Sequence, residues 1–235
     1  MPPSAAPPTP TLTPTSGNTP DPTPLIADIA LSLDKASQAL HHAAQRLRSH
    51  PEDLSQALTL LLATTTSTPT GKLVFAGVGK SYLIGRKLAA TMMSTGTYAI
   101  SLHATDALHG DLGVMQSGDC LVALSYSGAT EEVVRVAESV GRRGVRVVGM
   151  GGERRSPLGR LCDAWIACGV PGEMSAAVAA PTCSSAVMMA MGDAIAVMMM
   201  ERRRFGPTEF ARNHPAGELG RVSRKTSKQQ ELEEI

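Results

Sequence analysis

The sequence predicts an α/β protein with a doubly wound, mostly parallel five-stranded sheet flanked by helices. From residue 72 onward, five short apolar runs rich in β-formers alternate with longer helical stretches. Turns that contain glycine follow the strands, and in such sheets ligands bind outside the carboxyl ends of the strands. The five runs are LVFAG, YAISLH, CLVALS, VRVVGM and AWIAC. Helices are predicted at 80–95, 130–143 and 180–203.

The segments outside the sheet have distinct compositions. Residues 1–24 are rich in Pro, Thr and Ser with almost no charge, which predicts a disordered tail. Apolar residues at helical spacing over 25–49 predict an amphipathic helix. A proline followed by two acidic residues starts a second helix at 51–62. Residues 222–235 are polar and highly charged, which predicts a flexible tail.

Composition narrows the class of protein. The 235 residues carry 22 Lys and Arg against 21 Asp and Glu. A net charge of +1 provides no global field for nucleic acid or an anionic membrane, and we expect neither partner. The four cysteines are scattered, without a C-x-x-C pair, which predicts a reduced, cytoplasmic protein. The apolar stretch 176–200 contains Asp193, so we expect a buried core helix there, not a membrane span.

The stretch FAGVGKS, residues 75–81, is the first candidate ligand loop. It is similar to a P-loop, but Val74 occupies the position where that motif requires its first glycine. The dinucleotide motif G-x-G-x-x-G also fails, because Tyr82 occupies its last position. Both nucleotide interpretations are therefore excluded, and Lys80 at this turn requires another role.

The loop SYSGAT, residues 125–130, is the candidate anion site. It presents the hydroxyls of Ser125, Ser127 and Thr130 between a buried strand and a helix. Helix N-termini offer free N–H groups and a positive dipole end, which suit a phosphate dianion. One hydroxyl alone would be explained more simply as a helix cap. Three hydroxyls and a glycine at this edge favour phosphate binding.

Three other loops carry ionisable side chains. His109 is followed by a glycine and Asp111. A metal site here would need a further ligand, and His103 is only weak support for one, so a structural or surface histidine is the simpler interpretation of His109. Glu173 lies among small residues, which makes it a candidate for a raised pKa and general-base catalysis. His214 lies after the last predicted helix. We expect it to reach an active site, in its own subunit or in a neighbouring one.

Several motifs together resemble a known family. They are GVGKSYLIGRKLAATMMSTGT, HATDALHGDLG, SYSGATEE, the Glu173 loop with APTCSS and MGDAIAV, and NHPAGELGR. This combination resembles the sugar isomerase (SIS) domain over residues 25–221, and more narrowly the D-arabinose 5-phosphate isomerases. The resemblance implies interconversion of D-ribulose 5-phosphate and D-arabinose 5-phosphate through an enediol, with no metal or other cofactor. It also implies a homodimer or homotetramer with shared sites.

The resemblance also implies roles for individual residues. The implied catalytic residues are Lys80, Glu132, Glu173 and His214. The implied substrate or phosphate contacts are Gly79, Ser81, His109, Ser125, Ser127, Thr130 and Thr182. Either of the two glutamates is able to shuttle the proton, and the sequence leaves this choice open.

The sequence also departs from the family pattern. Segment 174–186 lacks a proline and a glycine that the family usually has, and Tyr126 replaces an asparagine in the phosphate loop. Two alternatives therefore stay open, namely a non-catalytic phosphosugar-binding regulator and an isomerase of another phosphosugar. Many members carry a pair of CBS modules after the isomerase domain. With 14 residues after Arg221, we expect none in this chain.

Overall fold

The computed structural model describes residues 22–66 and 71–233. Apart from 22–24, the predicted N-terminal tail lies outside the described residues. The five strands form one parallel sheet in the order β2-β1-β3-β4-β5, which confirms the predicted fold class. They are β1 (Leu73–Gly77), β2 (Ala99–His103), β3 (Cys120–Leu124), β4 (Arg146–Gly151) and β5 (Ala164–Ala167).

Helices precede the sheet and connect its strands. They are α1 (Thr23–Ser49), α2 (Glu52–Thr66), α3 (Gly79–Ser94), α4 (Ala104–Ala107), α5 (Glu131–Gly141), α6 (Pro157–Leu161), α7 (Cys183–Arg202), α8 (Pro207–Asn213) and α9 (Glu218–Glu233). A 3-10 turn spans Asp111–Val114. Residues of the predicted flexible tail are helical as far as Glu233. The Lys, Gln, Glu and Leu residues of this segment have high intrinsic helix propensity, and its flexibility stays a prediction.

The strands are buried on both faces, as expected for a parallel sheet. Alternate residues enter two separate hydrophobic cores because side chains of a strand point to opposite faces. Phe75 and Val122 belong to the core that α1, α2, α3 and α7 cover. Val74 and Leu121 belong to the core on the other face, which α5 covers.

Helices α3 and α7 lie side by side and run in the same direction. The leucine side chain of Leu88 packs so closely on Gly192 that an added Cβ would lie 2.4 Å from it. At the far end of the pair, Arg203 donates to the carbonyl of Gly96 at 2.9 Å. The first turns of α3 and α7 are consequently neighbours at the carboxyl edge of the sheet.

Within the described residues, α7 is the one helix long and apolar enough to cross a membrane. It contains the buried residues Val187, Met191 and Ile195 and packs in the core against α3 and α1. Asp193 pairs with Lys87 of α3. These contacts are those of a core helix, as the sequence predicted.

Candidate functional site

The strand order defines one crevice at the carboxyl edge of the sheet. The chain moves from β1 to β2 on one side and then returns to place β3 on the other side of β1. The helix that follows β1 and the helix that follows β3 lie on opposite faces of the sheet. Their divergence leaves a cleft above the carboxyl ends of β1 and β3. The turn with Lys80 follows β1, and the loop 125–130 follows β3, so both border this cleft.

The turn after β1 is tight. An added Cβ on Gly77 would lie 3.0 Å from the backbone of Ser81, so a larger residue would push the strand and the helix apart. Gly79 opens α3 with φ +56°, a conformation that favours glycine. Lys80 follows it and is exposed, and none of the described carboxylates pairs with its ammonium group. The turn therefore presents an uncompensated positive charge at the cleft.

The loop 125–130, the phosphate loop from here on, is held by its own hydroxyls. The buried Ser125 Oγ lies 2.9 Å from Thr130 Oγ1 and accepts from the Gly128 N–H at 3.1 Å. Ser127 Oγ accepts from the Ala129 N–H at 3.2 Å. Thr130 is the N-cap residue of α5 but makes no side-chain cap hydrogen bond. The hydroxyls thus shape a concave loop and leave the first N–H groups of α5 to a ligand.

Glu132 lies in the first turn of α5, directly after the phosphate loop. Its side chain is half-buried. Among the described residues, no donor forms a hydrogen bond or ion pair with its carboxylate. Both of its oxygens are therefore without a hydrogen-bond donor in the described part of the chain.

Glu173 has the opposite environment. Its Oε2 accepts from the Thr182 N–H and from Thr182 Oγ1, each at 2.8 Å, and from the Ser184 N–H at 3.3 Å. Its Oε1 accepts from the Ser184 hydroxyl. The carboxylate thereby closes the first turn of α7, where an anion is favoured.

This environment makes one prediction wrong. The sequence predicted a raised pKa for Glu173, whereas its pKa is lowered. Burial acts to raise it, but the hydrogen bonds from Ser184 and Thr182 stabilise the charged form and outweigh burial. Ser184 is the residue missing from the predicted site, although its hydroxyl at a predicted helix N-terminus was a visible signal.

His109 is exposed and follows α4, on the β2 side of the cleft. His103 ends β2, and its ring contacts the Tyr82 ring edge-on with centroids 4.7 Å apart. In the part of the chain that the structure describes, no three His, Cys, Asp or Glu side chains are grouped as a metal site would require. Burial raises the pKa of Cys120 and Cys168 to about 12, so these thiols stay protonated.

His214 lies at the opposite edge of the sheet. Its Nε2 is 3.2 Å from the hydroxyl of Ser94, the last residue of α3. Its Nδ1 is 2.8 Å from the Phe210 carbonyl, which can only accept, so Nδ1 carries the proton. Lys80 is the second residue of α3 and Ser94 the last, so at 1.5 Å per residue about 21 Å of helix separates Lys80 from the residue that contacts His214. Within one chain, His214 is therefore not part of the cleft that holds the other predicted site residues.

Comparison with known proteins agrees with the fold and the motifs. The family model described as SIS domain matches residues 68–198. The chain is 43% identical over 150 residues to arabinose 5-phosphate isomerase GutQ of Salmonella typhi, covering 64% of this chain and 47% of that protein. It is 35% identical over 197 residues to arabinose 5-phosphate isomerase KpsF of Escherichia coli, covering 84% and 58%.

The solved structures include an E. coli protein in complex with A5P. It superimposes with a TM-score of 0.77 at 33% identity, over 83% of this chain and all of that one. The chain spans about half the length of the curated relatives it matches. The match of the family model to more than half of the sequence shows that the chain belongs to the SIS domain family.

Proposed function

We propose that the protein is a sugar-phosphate isomerase that interconverts D-ribulose 5-phosphate and D-arabinose 5-phosphate. One observation carries the proposal. Helices α3, α5 and α7 all begin at the carboxyl edge of the sheet, and their starts and the loops before them carry the Lys80 ammonium group, the hydroxyl loop 125–130 and the carboxylates of Glu132 and Glu173, which supports the proposal. The relatives named as arabinose 5-phosphate isomerases and the A5P complex support this choice of substrate.

The phosphate loop would hold the 5-phosphate. The free N–H groups of α5 and the hydroxyls of Ser125, Ser127 and Thr130 are donors suited to a dianion. The exposed Ser127 hydroxyl is able to turn toward the ligand while its oxygen still accepts from the loop. Gly79, Ser81, His109 and Thr182 border the same cleft and complete the proposed substrate contacts.

Isomerisation moves one proton between C1 and C2. In the direction from ketose to aldose, a base removes a proton from C1, the electron pair forms the C1–C2 double bond, and the electrons of the C2 carbonyl move to its oxygen to give an enediolate. C2 then receives a proton, the O1 hydroxyl loses its proton as C1 becomes the aldehyde carbonyl, and the C2 oxygen gains a proton to become a hydroxyl. We assign this shuttle to Glu132, because its carboxylate is unengaged in the described chain and borders the phosphate loop. Glu173 already accepts four hydrogen bonds, three at Oε2 and one at Oε1, which makes it the poorer proton acceptor of the two glutamates.

The remaining charged groups would act on oxygen. The Lys80 ammonium group is suited to stabilise the negative charge that develops on the enediolate oxygen. Glu173 would act as an ionised anchor that fixes the first turn of α7, including Thr182, against the substrate. His214 would assist ring opening or proton transfer to oxygen.

His214 is able to take part only if it comes from another copy of the chain. We therefore include in the proposal a homodimer or homotetramer with shared sites. The first half of α1 supports it, since Ile26, Ile29 and Leu33 expose 61–63% of their surface along one side of the helix. A second copy that covers this stripe would bury apolar area that is costly to leave in water. A cytoplasmic location belongs to the same proposal and agrees with four buried free cysteines.

The test is proton exchange in D2O with the purified chain and D-ribulose 5-phosphate. We expect arabinose 5-phosphate as the product, with deuterium incorporated at C2. Glu132→Gln should abolish the incorporation, with a loss of about 10²–10⁴-fold. Glu173→Gln keeps an oxygen for the three donors that now reach Oε2, and its NH2 group can donate to the Ser184 hydroxyl, so it should retain slow exchange. Binding of the pentulose phosphate without any exchange would refute the proposal in favour of a binding protein, and turnover of a different phosphosugar alone would refute the substrate.

A further inference from the structure

The segment that carries Glu173 has no helix or strand of its own. We call residues 168–182, between β5 and α7, the Glu173 loop. Such a segment can orient a side chain only if other elements fix its backbone. Three side chains from outside the loop contact its backbone: Arg46, Tyr126 and Lys35.

Of these three side chains, Lys35 contacts the loop nearest to Glu173. It projects from α1, is half-buried, and its Nζ donates to the Met174 carbonyl at 2.8 Å. Met174 follows Glu173 directly, and its N–H donates to Thr182 Oγ1 at 3.0 Å. The same Thr182 hydroxyl donates to the Glu173 carboxylate. The Lys35 ammonium group therefore holds one end of a short chain of hydrogen bonds that closes on Glu173.

Tyr126 holds the start of the loop. It lies in the phosphate loop between Ser125 and Ser127, and its hydroxyl accepts from the Val170 N–H at 3.2 Å. Its ring lies so close to Gly152 that an added Cβ there would be 2.9 Å from two ring carbons. The ring is thus held between the residue that follows β4 and the Glu173 loop, and its hydroxyl joins the phosphate loop to the Glu173 loop.

We propose that Lys35 and Tyr126 are positioning residues of the candidate site, which fix the Glu173 loop so that the Glu173 carboxylate meets the first turn of α7. Neither side chain is assigned a contact with substrate. The proposal rests on the proposed function in one respect, namely that the Glu173 loop forms a wall of an isomerase site. The hydrogen bonds themselves are independent of that function.

The first measurement needs no substrate. In Lys35→Met and Tyr126→Phe, the amide hydrogens of Thr182 and Ser184 should exchange with solvent about tenfold faster than in the unmodified chain, because a positioning hydrogen bond is lost. The amide of Val122 in the central strand β3 serves as the internal reference for global stability. Unchanged exchange at Thr182 and Ser184 would overturn the proposal, as would an equal acceleration at Val122.

Two control variants test whether the faster exchange is specific to the hydrogen bonds of Lys35 and Tyr126. Arg48→Met removes an exposed charge from the same helix, where Arg48 has no partner among the described residues. Tyr98→Phe removes the hydroxyl of an exposed tyrosine. Both controls should leave the two amides unchanged. Lys35→Arg retains a donor and should restore much of the protection.

The second measurement is turnover of D-ribulose 5-phosphate. We expect kcat to fall about 10–100-fold in Lys35→Met while KM changes little. The reason is that a displaced Glu173 loop weakens stabilisation of the transition state more than it weakens binding of the substrate. Faster loop exchange with unchanged kcat would overturn the catalytic part of the proposal. If the unmodified chain shows no isomerisation, the proposed function fails, while the exchange experiment still decides whether Lys35 and Tyr126 position the loop.

Discussion

The separation of His214 from the cleft leads to a prediction about mixed oligomers. Glu132→Gln and His214→Ala are each expected to be nearly inactive, with losses of about 10²–10⁴-fold. The two variants carry their defects at opposite edges of the same sheet. Because about 21 Å of helix α3 separates these edges, no side chain of one copy can join them at a single substrate.

The activity that a mixture of the two variants should recover follows from this geometry. When the two inactive variants are co-expressed in equal amounts and assemble at random, each site takes its glutamate from one chain and its histidine from another. Each of these residues is intact in half of the sites, so about one quarter of all sites contain both. The mixture should therefore show about one quarter of the unmodified activity, far above either variant alone.

The assay is turnover of D-ribulose 5-phosphate by mixed oligomers, isolated through two different tags to verify mixing and compared at equal site concentration. Selection with both tags enriches mixed species, so recovery in a dimer should rise to about one half. A mixture of Glu132→Gln with Lys80→Met is the control, since the structure holds both residues at the cleft of one chain. It should recover nothing. The reasoning is refuted if the first mixture also recovers nothing, or if an isolated monomer has full activity.

Two further predictions concern stability. Asp119→Ala should lower the free energy of unfolding by about 3–5 kcal/mol in urea titrations. The reason is that the Lys72 side chain is only 9% exposed, and its ammonium group, 2.6 Å from the Asp119 carboxylate, would stay buried without its partner. As a control, Glu138→Ala breaks an exposed ion pair and should lower the free energy of unfolding by less than about 1 kcal/mol. Ser184→Ala should raise the pKa of Glu173 from its lowered value. The stabilisation from a lowered carboxylate pKa is complete above about 4.3, the ordinary glutamate value, and is lost as pH falls through the folded-state pKa. The variant should therefore melt at a lower temperature than the unmodified chain at pH 7, and the difference should shrink in acid; an equal difference at both pH values would contradict this.

The sheet was predictable because parallel strands buried on both faces appear as continuous apolar runs. The predicted run LVFAG coincides with β1, and the other four strands agree within a residue or so at each end. The positions of loop 125–130 and Lys80 in the fold were predictable for a related reason. Turns that follow parallel strands must lie at one edge, so their place in the fold follows from their place in the sequence.

The environments of Glu173 and His214 were not predictable in this way. The partners of Glu173 are nine and eleven residues away, and nothing in a small-residue loop indicates that it folds back on the next helix. For His214 the length of the preceding helix was predicted, but its contacts with Ser94 and Phe210 follow from where that helix ends in the fold. The 20 residues of α7 carry the chain from the carboxyl edge to the amino edge, so the segment that follows begins on the far side of the sheet.

The position of Glu173 also affects how charge is distributed in the cleft. A helix N-terminus carries about half a positive charge, and those of α3, α5 and α7 all lie at this edge. If all three were free, a phosphate dianion would have several competing places to bind. The Glu173 carboxylate occupies the N-terminus of α7, and Lys80 adds its charge to that of α3. The first turn of α5 carries Glu131 and Glu132, but among the described residues neither carboxylate accepts a hydrogen bond from the N–H groups of that turn. Under the proposed function, these N–H groups and the loop hydroxyls would therefore hold the phosphate, and the reacting carbons would lie toward Lys80 and Glu132.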